Sequence, residues 1–453
     1  MNIRIWDSTY IKIYFFGGYM KKTILCLVVM CLFFTLQHVM AARLSDEDLA
    51  KKIEGWYPTG LPLVNYDSDN GFGYGVRAYL YNNGTRDDEY FAYAPYKMQL
   101  YGQFYQTTNG YQYHEINLDM PYIFGTKFRI ITSIAYDKKI NANYFGQGAD
   151  TAKGKLTLFT TCPTAFERFD TYQDYLDYAD KDERYLKYYN YKYTKPSYFL
   201  NVYRDITQNL KFLIGLEVKK VTINTWSGKK FDGTSQETTL LEQLQPLGYD
   251  GGWSNFARAG IYYDMRDYEP DPKTGYLIDY AFEISDNTLG SDYDFTRHTV
   301  QLQYYLPLLQ SLTLALRAGY TDANGDTPFF ELGYFGFSLN RRTGLGNNRT
   351  LRGYREQRFV GPTMTVANAE LRWKFAEANP WGQNFQFKIT AFYDVGNVYD
   401  KAADPFTHPR FGDYHQGYGG GLVIAWNMAT IVHFYYGMSK EDSSVSVDFS
   451  HTF

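Results

Sequence analysis

Cysteine is scarce in this chain. Three occur in 453 residues, at positions 26, 31 and 162. The first two fall in an apolar leader, which leaves Cys162 alone. That excludes an intramolecular disulfide and a cysteine metal site. No lipobox surrounds Cys26 or Cys31, so a lipid anchor is not expected. Beyond the leader there is no apolar run of the length a transmembrane helix needs, about 18 residues or more. Charge of one sign is lacking too: the formal net charge is −4. No basic face argues for nucleic acid. Catalytic spacings are missing as well. Gly336-Phe-Ser-Leu-Asn340 lacks the final glycine of a nucleophile elbow. The histidines at 38, 114, 298, 408, 415, 433 and 451 never take metalloprotease spacing. The chain is read as no enzyme, with no cofactor and no metal.

Aromatic residues, by contrast, are abundant: 19% of the chain, with 46 Tyr. Mean hydropathy is nonetheless only −0.43. A membrane β-barrel reconciles the two. Only alternate residues face lipid, and aromatic girdles mark both interfaces. A soluble tyrosine-rich sandwich is the plainer alternative.

The N-terminus reads as a secretory signal over residues 1–42, with the true start at Met1 or Met20. Lys21 and Lys22 form the basic region. Ile24 to Phe34 is apolar but too short to cross a bilayer. Cleavage is expected after Ala41 or Ala42. Residues 43–70 read as a short segment with two or three helical turns near Asp46 to Glu54, too little for a folded periplasmic module.

From residue 71 to 453, period-2 alternation recurs. In Phe385 to Val395, Phe385, Phe387, Ile389, Ala391, Tyr393 and Val395 share one face. Gln386, Lys388, Thr390, Phe392 and Asp394 share the other. Apolar-out with charge-in is the barrel arrangement. Similar runs occupy 299–306, 311–320, 367–375 and 445–453. Weaker ones lie near 71–81, 91–107, 111–119, 122–136, 195–204, 210–225, 254–265, 275–287, 330–338, 417–427 and 429–439. Together they make about sixteen strands, an even number as single-chain bacterial barrels require. The expected fold is all-β, a transmembrane antiparallel barrel. Short turns such as Thr108 to Gly110 are assigned to the periplasmic end and long loops to the outside. The longest, about 145–193, carries Asp170, Asp174, Asp177, Asp180 and Asp182 among tyrosines and reads as a solvated loop. Glycines in Gly71 to Gly75 and Gly417 to Gly421 mark places where a tight wall needs small residues. Asp264, Arg266 and Asp267 admit two readings, a surface charge cluster or a lumen-facing network.

One loop stands apart. Gly344 to Tyr354 is rich in Gly, Asn and Arg and ends Leu351-Arg-Gly-Tyr354. Glu370 and Asp394 project from the polar faces of strands just downstream. A guanidinium inside a narrow lumen needs carboxylate partners. Arg352 is therefore expected to enter the lumen on its loop and meet them, with Gly353 permitting the tight tip.

These motifs, in their order, resemble the BamA/TamA superfamily, the bacterial surface antigen family. Its Arg-Gly-aromatic loop tip matches Arg352, Gly353 and Tyr354. Its Phe-x-Asp-x-Gly strand matches Phe392, Asp394 and Gly396, and the glutamate of the intervening strand matches Glu370. Tyr144 to Gly148, the Asp264 to Gly275 turn and Phe453 are further landmarks. The resemblance implies a 16-stranded barrel whose first and last strands pair weakly. It also implies insertion, assembly or translocation of proteins at the outer membrane, after export through a cleaved signal. Expected partners are outer-membrane lipid and a protein client or periplasmic accessory subunit. A passive channel or structural barrel is the alternative. The chain resembles the subset without periplasmic N-terminal repeats.

Overall fold

Successive strands pair with their chain neighbours almost throughout, so the wall is a meander. The computed structural model describes residues 44–67, 70–149, 155–160, 166–407 and 411–453. The signal peptide expected in 1–42 lies outside the described residues, as does Cys162. Residues 41–453 form one compact unit.

The main sheet has seventeen strands, one being the two-residue Gly252–Trp253, which leaves sixteen long ones. They are β1 (Trp56–Asp67), β2 (Gly71–Asn82), β3 (Met98–Thr107), β4 (Gln112–Met120), β5 (Phe128–Asn143) and β6 (Asn190–Asp205). Then follow β7 (Leu210–Thr225), β8 (Phe256–Asp264), β9 (Gly275–Ser285), β10 (Phe295–Leu309) and β11 (Leu312–Gly325). The wall ends with β12 (Thr363–Ala378), β13 (Phe385–Tyr399), β14 (His415–Trp426), β15 (Thr430–Ser439) and β16 (Ser443–Phe449). All ladders between consecutive strands are antiparallel.

Burial is inverted relative to a soluble sandwich. On β13, Ile389 and Tyr393 are exposed while Gln386, Lys388, Thr390 and Asp394 are buried. Ile116, Ile134, Ile214, Leu302 and Trp373 likewise face outward. Apolar side chains stay outside only if the outside is lipid. The protein is a transmembrane β-barrel with a polar interior.

The strand count matches the expectation for a reason that needs correcting. The wall begins at Trp56, not residue 71. The run 330–338 is not in the wall at all. It forms a short helix, Phe329–Leu332, and a two-stranded ladder of Tyr334–Gly336 with Arg341–Thr343 inside the barrel. One strand gained and one lost leave sixteen. The last strand also stops early. Its ladder ends at Phe449, where Ser450 takes φ +66°, and the tail turns inward.

With sixteen strands, the start of β1 and the end of β16 lie at the same end of the barrel, the periplasmic end. The Thr108–Gly110 turn follows an upward strand and so lies at the opposite end, with the long loops; its assignment to the periplasmic side is corrected. At the periplasmic end, α1 (Asp46–Lys51) packs beside the turns. Leu44 meets Tyr268 and Met428, and Asp48 pairs with Lys273 at 2.6 Å. Ser45 caps the helix by accepting from the Asp48 amide.

The long outer loops are not spread into solvent. Residues 144–149, 156–160, 166–191 and 240–241 contribute Tyr144, Phe145, Leu158, Tyr175, Tyr188, Tyr189 and Leu241 to one buried cluster with wall residues Phe256 and Phe295. The loop read as solvated is a folded dome, because its tyrosines outnumber what a surface can usefully expose. Its acids serve local ends. Thr171 and Asp174 form the capping box of α2 (Tyr172–Ala179), and Asp182 pairs with Arg184. Tyr175 is fully buried, with its hydroxyl donating to the Tyr185 carbonyl at 2.6 Å. Tyr175→Ala is expected to loosen the dome by about 3 kcal/mol. Limited proteolysis should then cut within 144–189 while the barrel keeps its heat resistance; an uncut dome would refute the packing claim.

Candidate functional site: the inserted loop and its lumen partners

The segment 326–362 leaves β11 at the outer end, descends into the lumen and returns to β12. Local chemistry shapes its tip. Asn347 Oδ1 accepts from the Arg349 and Thr350 amides at 2.6 and 2.9 Å, closing a tight turn. Gly353 sits at φ +90°, and a Cβ there would lie 2.4 Å from the Met438 carbonyl carbon. Leu351, Tyr354 and Phe359 pack with Phe335, Phe337, Met364, Val366 and Val398, so the loop shares an apolar core with β12 and β13.

Arg352 is 2% exposed and is fully engaged. Its Nε and Nη2 donate to the two Asp394 oxygens at 2.7 Å each, a bidentate pair. Its backbone amide donates to Asp394 at 3.1 Å. Nη1 donates to Glu370 at 2.6 Å and to the Thr452 hydroxyl at 3.2 Å. The guanidinium lies 3.5 Å from the Phe392 ring centroid, which explains an aromatic on an otherwise polar strand face. Tyr354 takes no part in the ionic contacts; its ring meets Phe359 edge-on at 5.1 Å. Arg352, Gly353, Glu370, Phe392 and Asp394 thus converge on one point, and Tyr354 packs beside it. The period of β12 and β13 accounts for this: Glu370 and Asp394 fall on lumen-facing parity.

Several partners escaped the sequence reading. Asn368 Nδ2 donates to Asp394 at 2.7 Å, and Arg372 pairs with Glu370 at 2.7 Å. Both lie two residues from Glu370, so the same alternation carried the signal. Thr452 could not be found that way, because it belongs to the tail that leaves the wall. The glycines of β14 also acquire a role. A Cβ on Gly417 would lie 1.9 Å from the Arg352 carbonyl oxygen, so Gly417 is the seat of the loop tip.

A second ionic cluster holds the other limb of the loop. Glu331 and Arg341 of the loop pair at 2.8 Å. Lys219 of β7 reaches Glu331 at 2.6 Å, and Arg297 of β10 pairs with Glu283 of β9. Where the chain turns back to β12, Arg358 pairs with Glu441 at 2.7 Å. Residues Tyr144 to Gly148 join here, through the Gly148 amide donating to the Val360 carbonyl at 2.8 Å. At the periplasmic end, Arg266 grips Asp264 with two hydrogen bonds of 2.9 and 2.7 Å, both buried. Asp267 accepts from the Lys273 and Thr274 amides. The lumen-facing reading of this group is the one the geometry supports.

The wall closes on itself without a ladder. Among the described residues β1 is laddered only to β2, and β16 only to β15. Side chains span the seam instead. Thr59 of β1 and Thr430 of β15 bring their hydroxyls to 2.7 Å beyond the end of β16, and Arg77 of β2 reaches Asp448 of β16 at 3.5 Å. Arg77 also lies over the Phe449 ring, 4.2 Å from its centroid.

A sixteen-stranded outer-membrane barrel, plugged by a loop with an Arg-Gly tip and closed by a side-chain seam, is the class of protein these features define. Residues 99–449 match the Omp85 superfamily domain, and the chain belongs to that superfamily. Residues 36–97 match a domain of unknown function, DUF5982. That segment takes in α1, β1 and β2. Since β2 is laddered to β3 from Gly73↔Thr107 to Asn82↔Met98, both matched segments share one wall. No curated protein matches the chain. Among solved structures it is similar to BamA from Haemophilus ducreyi lacking POTRA domains 1–3. Identity is 14%, coverage 88% of this chain and 70% of that one, and the TM-score 0.47. It is also similar to CdiB from Escherichia coli, with 10% identity, 87% and 61% coverage and a TM-score of 0.48.

Proposed function

We propose that this barrel takes part in inserting, assembling or translocating proteins at the outer membrane, and that cargo engages the wall at the β1–β16 seam. The observation that carries the proposal is the pairing of a filled lumen with an unladdered seam. The loop 326–362 occupies the interior, the dome covers the outer end, and α1 lies across the periplasmic end. A steady solute path would need all three removed. Parting the seam needs only a few side-chain contacts to break. In this reading Arg352, Asp394 and Glu370 act as a lock that holds the loop while the seam opens. Export through a signal in residues 1–42 and a soluble periplasmic partner meeting residues 43–55 belong to the same proposal.

A reversible tether tests it. Thr59→Cys with Thr430→Cys places two sulfurs where the hydroxyls now touch, tying β1 to β15 across the seam. In proteoliposomes, oxidation should block assembly of a β-barrel client, and dithiothreitol should restore it. Full activity in the oxidised double variant would sink the seam proposal. Large, steady single-channel conductance from the wild-type barrel would favour a passive channel instead.

A further inference from the structure

On three neighbouring strands the outward row of side chains changes chemistry at one height. On β5 it runs from Phe128 through Ile134 and Tyr136 to Lys138. On β7 it runs from Phe212 through Ile214 and Leu216 to Lys220. On β6, between them, it rises from Val202 past Tyr198 to Thr194 and Lys192. An apolar band about 25 Å tall takes roughly ten tilted strand residues. Measured from Phe128 and Phe212 at the periplasmic edge, the band ends near these lysines. They stand at the headgroup level of the outer leaflet.

Two more lysines join them. Lys229 and Lys230 lie in the connection above β7, and both are exposed. The charged groups that act on Lys192 are Lys229, Lys138 and Lys187, all cations. Among the described residues, none of Lys138, Lys192, Lys220, Lys229 and Lys230 pairs with a carboxylate. The rest of the rim is different: on β13, β14 and β15 the exposed outward residues are Tyr393, Tyr418 and Tyr436. Tyrosine there is the usual girdle residue. The basic patch is confined to one sector of the wall.

Lys192 is held in place without being neutralised. Its Nζ lies 3.3 Å from the Trp226 ring centroid. Trp226 is buried, and its Nε1 donates to the Ile140 carbonyl at 2.9 Å, beside the β5 bulge between Lys139 and Ala142. Lys220 is placed over Trp253 in the same way, at 5.6 Å. Gathered cations repel one another unless an anion joins them. The patch is also broad. Lys138 and Lys192 are diagonal neighbours, roughly 7–8 Å apart at the backbone. Lys192 and Lys220 are separated by about four strand residues, roughly 13 Å. One phosphodiester headgroup meets one or two such cations, whereas a lipid with a phosphate at each end of a disaccharide can meet them all. Below the lysines, Ile134, Tyr198 and Ile214 offer exposed apolar wall to its acyl chains.

We propose that the outer face of β5, β6 and β7 is a docking site for a phosphorylated glycolipid of the outer leaflet, its phosphates held by Lys138, Lys192, Lys220 and Lys229. The test is thermophoretic titration of the full chain in detergent and EDTA with bisphosphoryl lipid A, monophosphoryl lipid A and phosphatidylglycerol. Saturable binding is expected for bisphosphoryl lipid A without divalent cations, with the other two clearly weaker. Replacing Lys138, Lys192 and Lys229 together by Gln should weaken it by about tenfold or more. The same three positions changed to Arg should bind like wild type. Lys401→Gln with Lys440→Gln, on outer connections of the β13–β16 side, should change nothing. Phosphatidylglycerol binding as tightly as lipid A, an unchanged Gln triple variant, an equal loss in the Arg triple variant or an equal loss in the Lys401/Lys440 pair would each overturn the proposal.

Discussion

Arg352→Ala is expected to cost the barrel about 3–5 kcal/mol, the usual loss when one partner of a buried ion pair is removed. The wild-type contact satisfies two carboxylates that are both fully buried, Asp394 and Glu370. Without the guanidinium, Asp394 keeps the Asn368 amide and Glu370 keeps Arg372, so neither charge is wholly abandoned. The geometry of the tip is lost all the same. Asp394→Ala should act alike, since it removes the bidentate acceptor. Arg352→Lys should rescue little, because an ammonium cannot grip both Asp394 oxygens and reach Glu370 in one plane. The readout is the temperature at which the folded band disappears on a gel run without boiling. Wild-type heat resistance in both alanine variants would dismiss the lock.

Gly417→Val attacks the same contact without touching a charge. A Cβ at this position falls 1.9 Å from the Arg352 carbonyl oxygen, and its nearest neighbours are all Arg352 backbone, with no flexible side-chain end to yield. Either β14 or the loop tip must move, and β14 is held by ladders to β13 and β15. The tip should therefore unseat, and a loss comparable to Arg352→Ala is expected. The two changes together should cost little more than either alone, since they act through one contact. Gly102→Ala is the matched control, as a Cβ there meets nothing within 4 Å. Additive losses in the double variant would mean that Gly417 matters to the wall rather than to the loop.

The lumen site was legible because charged residues on a strand betray themselves through period 2. Glu370 and Asp394 sit on the face opposite Leu371, Trp373, Ile389 and Tyr393, and only a polar interior tolerates that. β1 was not legible, and the reason is physical. Pro58, Gly60 and Pro62 break the alternation and weaken any strand reading. β1 has a single ladder partner, β2, so one row of its backbone groups is free and proline is tolerated there. The run 330–338 misled for the opposite reason. Its Phe330, Phe335 and Phe337 look lipid-facing, yet they are buried by the dome and by the loop's own core. Periodicity tells which residues share a face, not what covers it. Likewise, the alternation of Val445 to Phe453 runs on past Phe449, and nothing in it signals the turn at Ser450.

The seam has a consequence for how the barrel is made. Every other junction of the wall joins strands adjacent in the chain, whereas the Thr59–Thr430 contact closes a loop of 371 positions. Hairpins can form locally and quickly, but this junction must wait until nearly the whole sheet has assembled. Its entropic cost grows only slowly with length, about 0.6 kcal/mol per doubling. Timing is therefore affected more than final stability. A sheet that is otherwise complete will spend time as an open ribbon with β1 and β16 as bare edges. Pro58 and Pro62 on one of those edges discourage a second copy from pairing there while the ribbon waits to close.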